Sequence, residues 1–400
     1  MSNDTPRSFV TTAIAYVNGP PHLGHAQEYV LADAIVRQRR RQGWDVRFQS
    51  GTDDNSLKTV RAAASAGTTP ALLVAENSAS FTRLAGTLDV DFDDFVKTSS
   101  DRRHAPAVAE LWRACARAGD IYPRAYRGLY CGGCEQFFAE GELESNFCPE
   151  HATALEAIEE NNYFFRASRY GEHVRRLVEA DVLHVRPAAR KHEILGFLER
   201  GLADFSVSRP RARARGWGIP VPGDPEQVVY VWFDALANYI SALGYAGDPS
   251  LLERYWTPST RRTHVIGKGI LRFHAAYWPA ILLSAGLELP SELLVHGYVT
   301  VEGRKIGKSL GNAVDPFELI RKQGRDAFRY YVLRQLHTTA DSDFSEARLT
   351  ALRASELADQ LGNLLRRTLV LVQQRCPGRA PSPGELTSHD AELRALGERA

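Results

Sequence analysis

The chain has 400 residues, 44% of them hydrophobic and 24% charged, with a formal net charge of +1. That length exceeds the usual reach of one hydrophobic core and implies two or more domains. The ordinary composition excludes a disordered, fibrous or small disulfide-stapled protein. Bulk charge gives no sign of a polyanionic partner, although basic residues cluster at 37–41, 209–215 and 366–367. Taken alone, each cluster reads as a solvated face before it reads as a nucleic-acid contact. No apolar run approaches ~18 residues, since the best, residues 275–287, is interrupted by Pro279. The first seven residues lack the apolar stretch of a signal peptide. The expectation is a cytoplasmic protein without a membrane partner.

In chain order, residues 7–17 have the β-branched and aromatic composition of a buried strand. They run into the breaker Asn18-Gly19-Pro20-Pro21, after which His22-Leu23-Gly24-His25 opens a helix with Tyr29, Ala32, Ile35 and Val36 on one face. A second strand, 45–50, ends at Gly51-Thr52-Asp53-Asp54 and leads into another helix. Strand, turn, helix, strand begins a parallel α/β sheet, whose ligands bind beyond the carboxyl ends of the strands. Residues 121–166 are aromatic, Gly- and Cys-containing and without long periodicity, as in an insertion. Helical patterning covers 168–203, and 209–225 reads as a loop returning to the sheet. Strands are expected at 228–233, 264–267 and 293–301, and helices at 235–243 and 273–285. A Gly- and Lys-rich loop occupies 303–312. Residues 316–374 read as amphipathic helix, with Leu357, Leu361, Leu364 and Leu365 at helical spacing.

Three constellations carry chemistry. A helix opening at His22 and His25 offers amide donors, a partial positive charge and two imidazoles that can reach one ligand, while Gly24 keeps the backbone approachable. Alone, such a string equally describes two surface histidines. Lys305-Ile306-Gly307-Lys308-Ser309 lies in a glycine-rich loop whose two ammonium groups could close over a triphosphate. A solitary K-x-x-K is otherwise a solvated basic loop. The third constellation is the cysteines. Of five, Cys131, Cys134 and Cys148 crowd together with His151 in a C-x2-C-x13-C-x2-H pattern that suits a closed, structural zinc tetrahedron. Cys115 and Cys376 read as ordinary buried thiols.

Together these segments resemble the HIGH and KMSKS signatures of class I aminoacyl-tRNA synthetases, and their surroundings resemble the methionyl-tRNA synthetase family. The supporting markers are Ala13-Ile14-Ala15-Tyr16-Val17-Asn18-Gly19, Gly51-Thr52-Asp53, Tyr230-Val231-Trp232-Phe233-Asp234-Ala235, Ile266-Gly267-Lys268, Phe273-His274, Tyr277-Trp278-Pro279 and Val295-His296-Gly297. The resemblance spans about residues 9–373. It implies an α/β fold, a Rossmann-like parallel sheet split by a zinc-binding connective insertion and followed by an α-helical C-terminal region. The implied segments are 1–117 and 213–297 for the catalytic halves and 118–212 for the insertion. Residues 298–352 would hold the lysine loop and stem-contact region, and 353–400 the start of a helical anticodon-binding domain. It further implies activation of an amino acid, methionine foremost, by ATP with Mg²⁺, and transfer to tRNA. By resemblance, His22, His25, Lys305 and Lys308 are catalytic, and Gly24, Gly267 and Ser309 join them around ATP. Asp53 would bind the substrate ammonium. Ala13, Ile14, Tyr16, Trp232, Ala235, Leu236, Tyr239, Ile270 and His274 would surround the substrate side chain. Asn363 and Arg367, four apart on one helix, match positions that read the anticodon.

The chain departs from the family in three places. Gly307 stands where a serine is usual. Asp54-Asn55-Ser56 replaces an acidic-His-Gly run. Gly267-Lys268-Gly269 replaces G-K-D, removing a carboxylate expected at the nucleotide. These changes fit a divergent methionyl-tRNA synthetase. They also fit a tRNA-independent paralogue that passes an activated amino acid to a small-molecule amine or hydroxyl, such as a hydroxylated lysine, in natural-product biosynthesis. A non-catalytic RNA-binding or sensor protein is a third reading, which the intact histidines and lysines oppose.

Overall fold

The computed structural model describes residues 5–131, 136–138, 147–148, 153–306, 314–376, 379–380, 382 and 384–399. Contacts divide the chain into two compact units, residues 1–344 and 345–400.

The first unit is built on a seven-stranded sheet whose pairings are all parallel. Its order is Ala15–Tyr16, Asp45–Asp53, Arg7–Thr12, Thr260–Gly267, Glu292–His296 and His184–Arg186, with Asp94–Lys97 also paired to Asp45–Asp53. Parallel strands buried on both faces need near-continuous apolar sequence. Phe9, Val10, Phe48, Val265, Ile266, Leu293 and Val295 meet that need at full burial. The helix Leu23–Arg41 returns the chain from the carboxyl end of the first strand to the amino end of the second. The order reverses at Arg7–Thr12, which has Asp45–Asp53 on one side and Thr260–Gly267 on the other, so a switch-point crevice opens there.

Several expectations need correction. Within residues 121–166, Ile121–Cys131 pairs antiparallel along most of its length with Glu156–Phe165, a regular strand pair where the sequence shows no long periodicity. Its period-2 signal is blurred because many of its side chains are exposed or half-buried on both faces. Residues 209–225 contribute to a small antiparallel sheet of Ser208–Pro210, Asp224–Val229 and Pro220–Val221 rather than a bare loop. The strand expected at 228–233 ends at Val229, and Val231–Leu236 is a helix. That apolar run is short, and such runs do not distinguish a buried strand from a buried helix by composition. Residues 168–203 contain the edge strand His184–Arg186 between the helices Gly171–Glu179 and Ala188–Glu199. The strand expected at 293–301 breaks at Gly297 into Glu292–His296 and Val299–Val301.

At the amino edge of the sheet one carboxylate holds four partners. Glu292 accepts from Arg186 Nη1 at 3.0 Å, Arg261 Nε at 3.1 Å, Arg39 Nη2 at 3.4 Å and Thr263 Oγ1 at 3.1 Å. Burial alone would raise its pKa, but these donors hold it below the usual glutamate value. Arg39, buried at the end of the first helix, also donates to Ser8 Oγ at 2.6 Å, and burial lowers its pKa to about 10. The first helix and the strands beside it are joined through this charge cluster.

The second unit, taken by itself, is helical: Glu346–Leu352, a π-helical stretch Arg353–Gly362, Asn363–Arg375 and Ser388–Arg399. Leu361, Leu364, Leu365, Leu369 and Leu371 are exposed on it, so the amphipathic pattern buries little here. Among the described residues no helix is long and apolar enough to cross a membrane.

Glu292→Ala strips the carboxylate from the buried Arg39 guanidinium, Arg186 and Arg261 being half exposed, and should cost about 3–5 kcal/mol in urea unfolding. A loss below about 1 kcal/mol would mean that the arginines reach solvent without it.

Candidate active site

A cavity of about 330 Å³ opens at the carboxyl edge of the parallel sheet. The segment 13–16, following the first strand, supplies Ala13, Ile14 and Tyr16 to its wall, and the end of the second strand supplies Asp53. Gly267, Gly269 and Ile270 lie at or just beyond the end of the strand Thr260–Gly267, and His296, Gly297 and Tyr298 at or just beyond the end of Glu292–His296. The start of the first helix adds His22, Gly24, His25 and Glu28.

His22 is the N-cap of that helix. Its Nδ1 accepts from the Gly24 amide at 3.1 Å, and the Nδ1 of His25 accepts from the His22 amide at 3.1 Å. These two amides are therefore engaged by imidazoles, which corrects the expectation that they stand open to a ligand. A neutral ring that accepts at Nδ1 carries its proton on Nε2. The pair thus presents two N–H donors, stacked with ring centroids 3.8 Å apart. Burial first, then His22 and His296, push the pKa of His25 well below the ordinary histidine value. It stays a neutral donor at physiological pH.

Glu28 was not foreseen. Its Oε1 accepts from the Ala13 amide at 2.9 Å and its Oε2 lies 2.8 Å from His296 Nε2. His296 Nδ1 faces the Gly297 carbonyl at 2.8 Å, so both ring nitrogens point at acceptors. Burial opposes the charge, yet the Glu28 carboxylate raises the pKa of His296 above its ordinary value. Helical spacing would have placed Glu28 on the face of His25, but its partner lies far along the chain.

The other end of the cavity is aromatic. Trp232 stacks on Phe273 at 3.7 Å between centroids and meets Tyr16 edge-on at 6.3 Å. His274 Nδ1 donates to the Ile270 carbonyl at 3.0 Å, leaving Nε2 to accept from the Tyr239 hydroxyl at 2.8 Å. Burial lowers the His274 pKa to about 4. Phe273 and His274 sit in a π-helical turn, Phe273–Tyr277; such a widened turn is a frequent device for redirecting side chains at functional sites. Ala235 and Leu236 complete this wall.

Behind it, Asp234 Oδ1 lies 2.5 Å from His104 Nε2, and its Oδ2 accepts from Asn55 Nδ2 at 2.8 Å. Ser56 caps the helix Leu57–Ser65 by accepting from the Thr59 amide at 3.1 Å. The unusual Asn55-Ser56 pair therefore anchors the Trp232 segment and starts a helix.

The family model described as "tRNA synthetases class I (M)" matches residues 8–157 and 152–369. The chain belongs to this family. It is 42% identical over 395 residues to the methionine--tRNA ligase of Mycobacterium bovis, covering 98% of this chain and 75% of that protein. Against the methionine--tRNA ligase of Brucella suis it is 41% identical, covering 96% and 74%. The solved Mycobacterium tuberculosis methionyl-tRNA synthetase in complex with methionyl-adenylate matches with a TM-score of 0.92 at 42% identity, covering 99% of this chain and 78% of that one. The free-state structure of that synthetase gives 0.82 at 38% identity, covering 100% and 76%.

Of the residues singled out from the sequence of this family member, the cavity gathers Ala13, Ile14, Tyr16, His22, Gly24, His25, Asp53, Trp232, Ala235, Leu236, Tyr239, Gly267, Ile270 and His274. Ile306, at the start of the lysine loop, also lines it. The backbone of Lys305 pairs with Thr300, while Lys308 and Ser309 lie outside the described residues. Cys131 and Cys148 are both buried and share one small cluster, whereas Cys134 and His151 lie outside the described residues. Asn363 and Arg367 are exposed on the helix Asn363–Arg375 of the second unit.

His25, His264 and His274 are all buried with pKa values pushed below the ordinary one, burial being the largest cause for each. As pH falls below about 6.5 the unfolded chain takes up protons that these folded histidines refuse, so stability drops toward pH 4. His296 acts oppositely: its contribution is complete below about pH 6.5 and is lost as pH rises through its raised value. Urea midpoints should therefore fall between about pH 6.5 and about pH 4.5. His274→Gln should flatten that slope by up to about 1.4 kcal/mol per pH unit. An unchanged slope would mean that His274 is protonated in the native state.

Proposed function

We propose that the chain activates methionine with ATP to form methionyl-adenylate and transfers the methionyl group to tRNA. One observation carries the reading: neutral imidazole donors, the buried Asp53 and an aromatic recess converge on one cavity at the switch point of a parallel sheet. The relatives named as methionine--tRNA ligases and the adenylate-bound structure support it.

In this reading the substrate carboxylate attacks the α-phosphorus of ATP; a new C–O–P linkage forms and pyrophosphate leaves with the electrons of the broken P–O bond. Little covalent assistance is required, so positioning and electrostatic stabilisation do the chemistry. The Nε2–H groups of His22 and His25 face the triphosphate, and Lys305 and Lys308 neutralise the departing pyrophosphate. Asp53 holds the ammonium group of the amino acid. Tyr16, Trp232 and the Tyr239–His274 pair enclose a polarisable thioether, for which sulfur–aromatic contacts of roughly 0.3–1.5 kcal/mol favour methionine over an aliphatic isostere. Because His274 is neutral and its acceptor nitrogen is satisfied by Tyr239, the recess offers no charge to a polar competitor. Mg²⁺ belongs to the ATP phosphates, whose oxygens suit it. Gly24, Gly267 and Ser309 complete the nucleotide side, and Asn363 and Arg367 are the proposed readers of the anticodon.

For zinc, the donor set is soft thiolate plus imidazole, the chemistry zinc prefers. Cys131 and Cys148 are buried in one small cluster, and the Cys148 amide donates to the Thr153 carbonyl at 2.9 Å. Cys131, Cys134, Cys148 and His151 would hold a structural ion that closes the insertion.

Pyrophosphate exchange across the amino acids should be strongest with methionine, and methionine tRNA should be charged. His25→Ala should lower kcat about 100-fold, the scale of losing one charge-stabilising donor, and Asp53→Asn should mainly raise KM for methionine. Exchange without any tRNA charging would move the chain to the tRNA-independent ligases; no exchange with any amino acid would overturn the reading. Elemental analysis should find about one zinc per chain, lost in Cys148→Ser; a zinc-free wild-type protein with unaltered folding would refute the metal assignment.

A further inference from the structure

A glycine stands at position 269, and the structure shows what fills the space it leaves. A Cβ built there would lie 2.1 Å from the Tyr298 hydroxyl oxygen and 3.3 Å from the ring carbon bearing it. Any other residue at 269 must displace that hydroxyl. Both residues line the cavity. They lie just beyond the carboxyl ends of two neighbouring parallel strands, Thr260–Gly267 and Glu292–His296.

Tyr298 is held in this position from three sides. Its amide donates to Asp341 Oδ1 at 2.9 Å. Lys268 Nζ donates to Asp341 Oδ2 at 2.7 Å and sits 4.6 Å from the Tyr298 ring centroid, within cation–π range. The preceding Gly297 packs so tightly that a Cβ there would lie 2.1 Å from the Ala340 carbonyl oxygen. The phenol is therefore fixed by its backbone and its ring, and its oxygen is directed over Gly269.

The division of the cavity says what this oxygen would meet. The imidazole donors take the phosphates and the Trp232–His274 recess takes the apolar side chain. The wall of Gly267, Gly269 and Tyr298 is left for the nucleoside. The part of ATP next to its phosphates is a sugar bearing vicinal hydroxyls, and a phenol, able both to donate and to accept, matches them without adding charge. We infer that Tyr298 is a nucleoside-positioning residue whose hydroxyl is presented to the ribose of ATP, and that glycine at 269 is the condition for its being there. The inference rests on the adenylation reading above.

The test uses methionine-dependent pyrophosphate exchange by the full chain and by Tyr298→Phe, Gly269→Ala and the double variant, with ATP and 2′- and 3′-deoxy-ATP as substrates. Tyr298→Phe should raise KM for ATP about three- to tenfold, the worth of one hydrogen bond, and leave KM for methionine within about twofold. It should also narrow the preference for ATP over at least one deoxy analogue. Gly269→Ala should raise KM for ATP by pushing the hydroxyl aside. Made on top of Tyr298→Phe, the same change should cost little, because the atom it strikes is gone; the narrowed analogue preference is the readout that a merely structural tyrosine would not move. Exchange activity with unaltered KM for ATP and unaltered analogue preference in Tyr298→Phe overturns the inference and leaves the adenylation reading standing. Absence of exchange in the wild-type chain overturns both.

Discussion

The Glu28 carboxylate ties together three pieces of chain. One oxygen accepts the Ala13 amide just beyond the first strand, the other meets His296 at the end of a strand far along the chain, and its own backbone belongs to the first helix. The cavity lies among these three pieces. If the pair were broken, the Ala13 amide would keep only the Val265 carbonyl at 3.1 Å, and a buried imidazolium would lose its counter-charge, which is far more costly than losing a surface pair. The site depends on this contact because the residues on either side of it, Tyr16, His25 and Tyr298, are carried by the very segments that it joins.

Much of this was legible in the sequence where local patterning and chemistry coincide. The breaker at 18–21 followed by His22 announced a helix start, and the start is there, with the histidine itself as cap. The aromatic recess was legible only by resemblance, since Trp232, Tyr239 and His274 lie on separate elements whose packing no periodicity reveals. What failed to show was of two physical kinds. The helix Val231–Leu236 is buried on all sides, so it has no polar face to generate a 3.6-residue period. The strand pair Ile121–Cys131 and Glu156–Phe165 has the opposite problem, with too few buried side chains to mark a face. Glu28–His296 and Gly269–Tyr298 are pairs made by tertiary structure, and a single sequence carries no trace of such pairs.

The departures from the family pattern look less like damage once their surroundings are considered. Asn55 replaces a residue expected to be histidine, and its amide nitrogen donates to the buried Asp234 carboxylate. Asp54, whose pKa burial raises despite its hydrogen bonds, accepts from both the amide and the hydroxyl of Ser99. The substituted Asn55 and Ser56 and the acidic residue before them are thus each satisfied by a local partner, as buried polar groups must be. Gly269 follows the same logic with a tyrosine hydroxyl.

The two edges of the sheet divide the labour of the fold. At the amino edge Glu292 gathers Arg39, Arg186 and Arg261 in a cluster whose evident task is to lock strands and helix together. At the carboxyl edge burial keeps His25 and His274 neutral, which costs stability whenever protons are abundant. A protein can tolerate such groups only if its stability is secured elsewhere, because the sheet transmits the register set at one edge to the other. The charge cluster at the amino edge therefore supports the uncharged His25 donor at the carboxyl edge, where the imidazole that has a counter-ion, His296 against Glu28, is already committed to it.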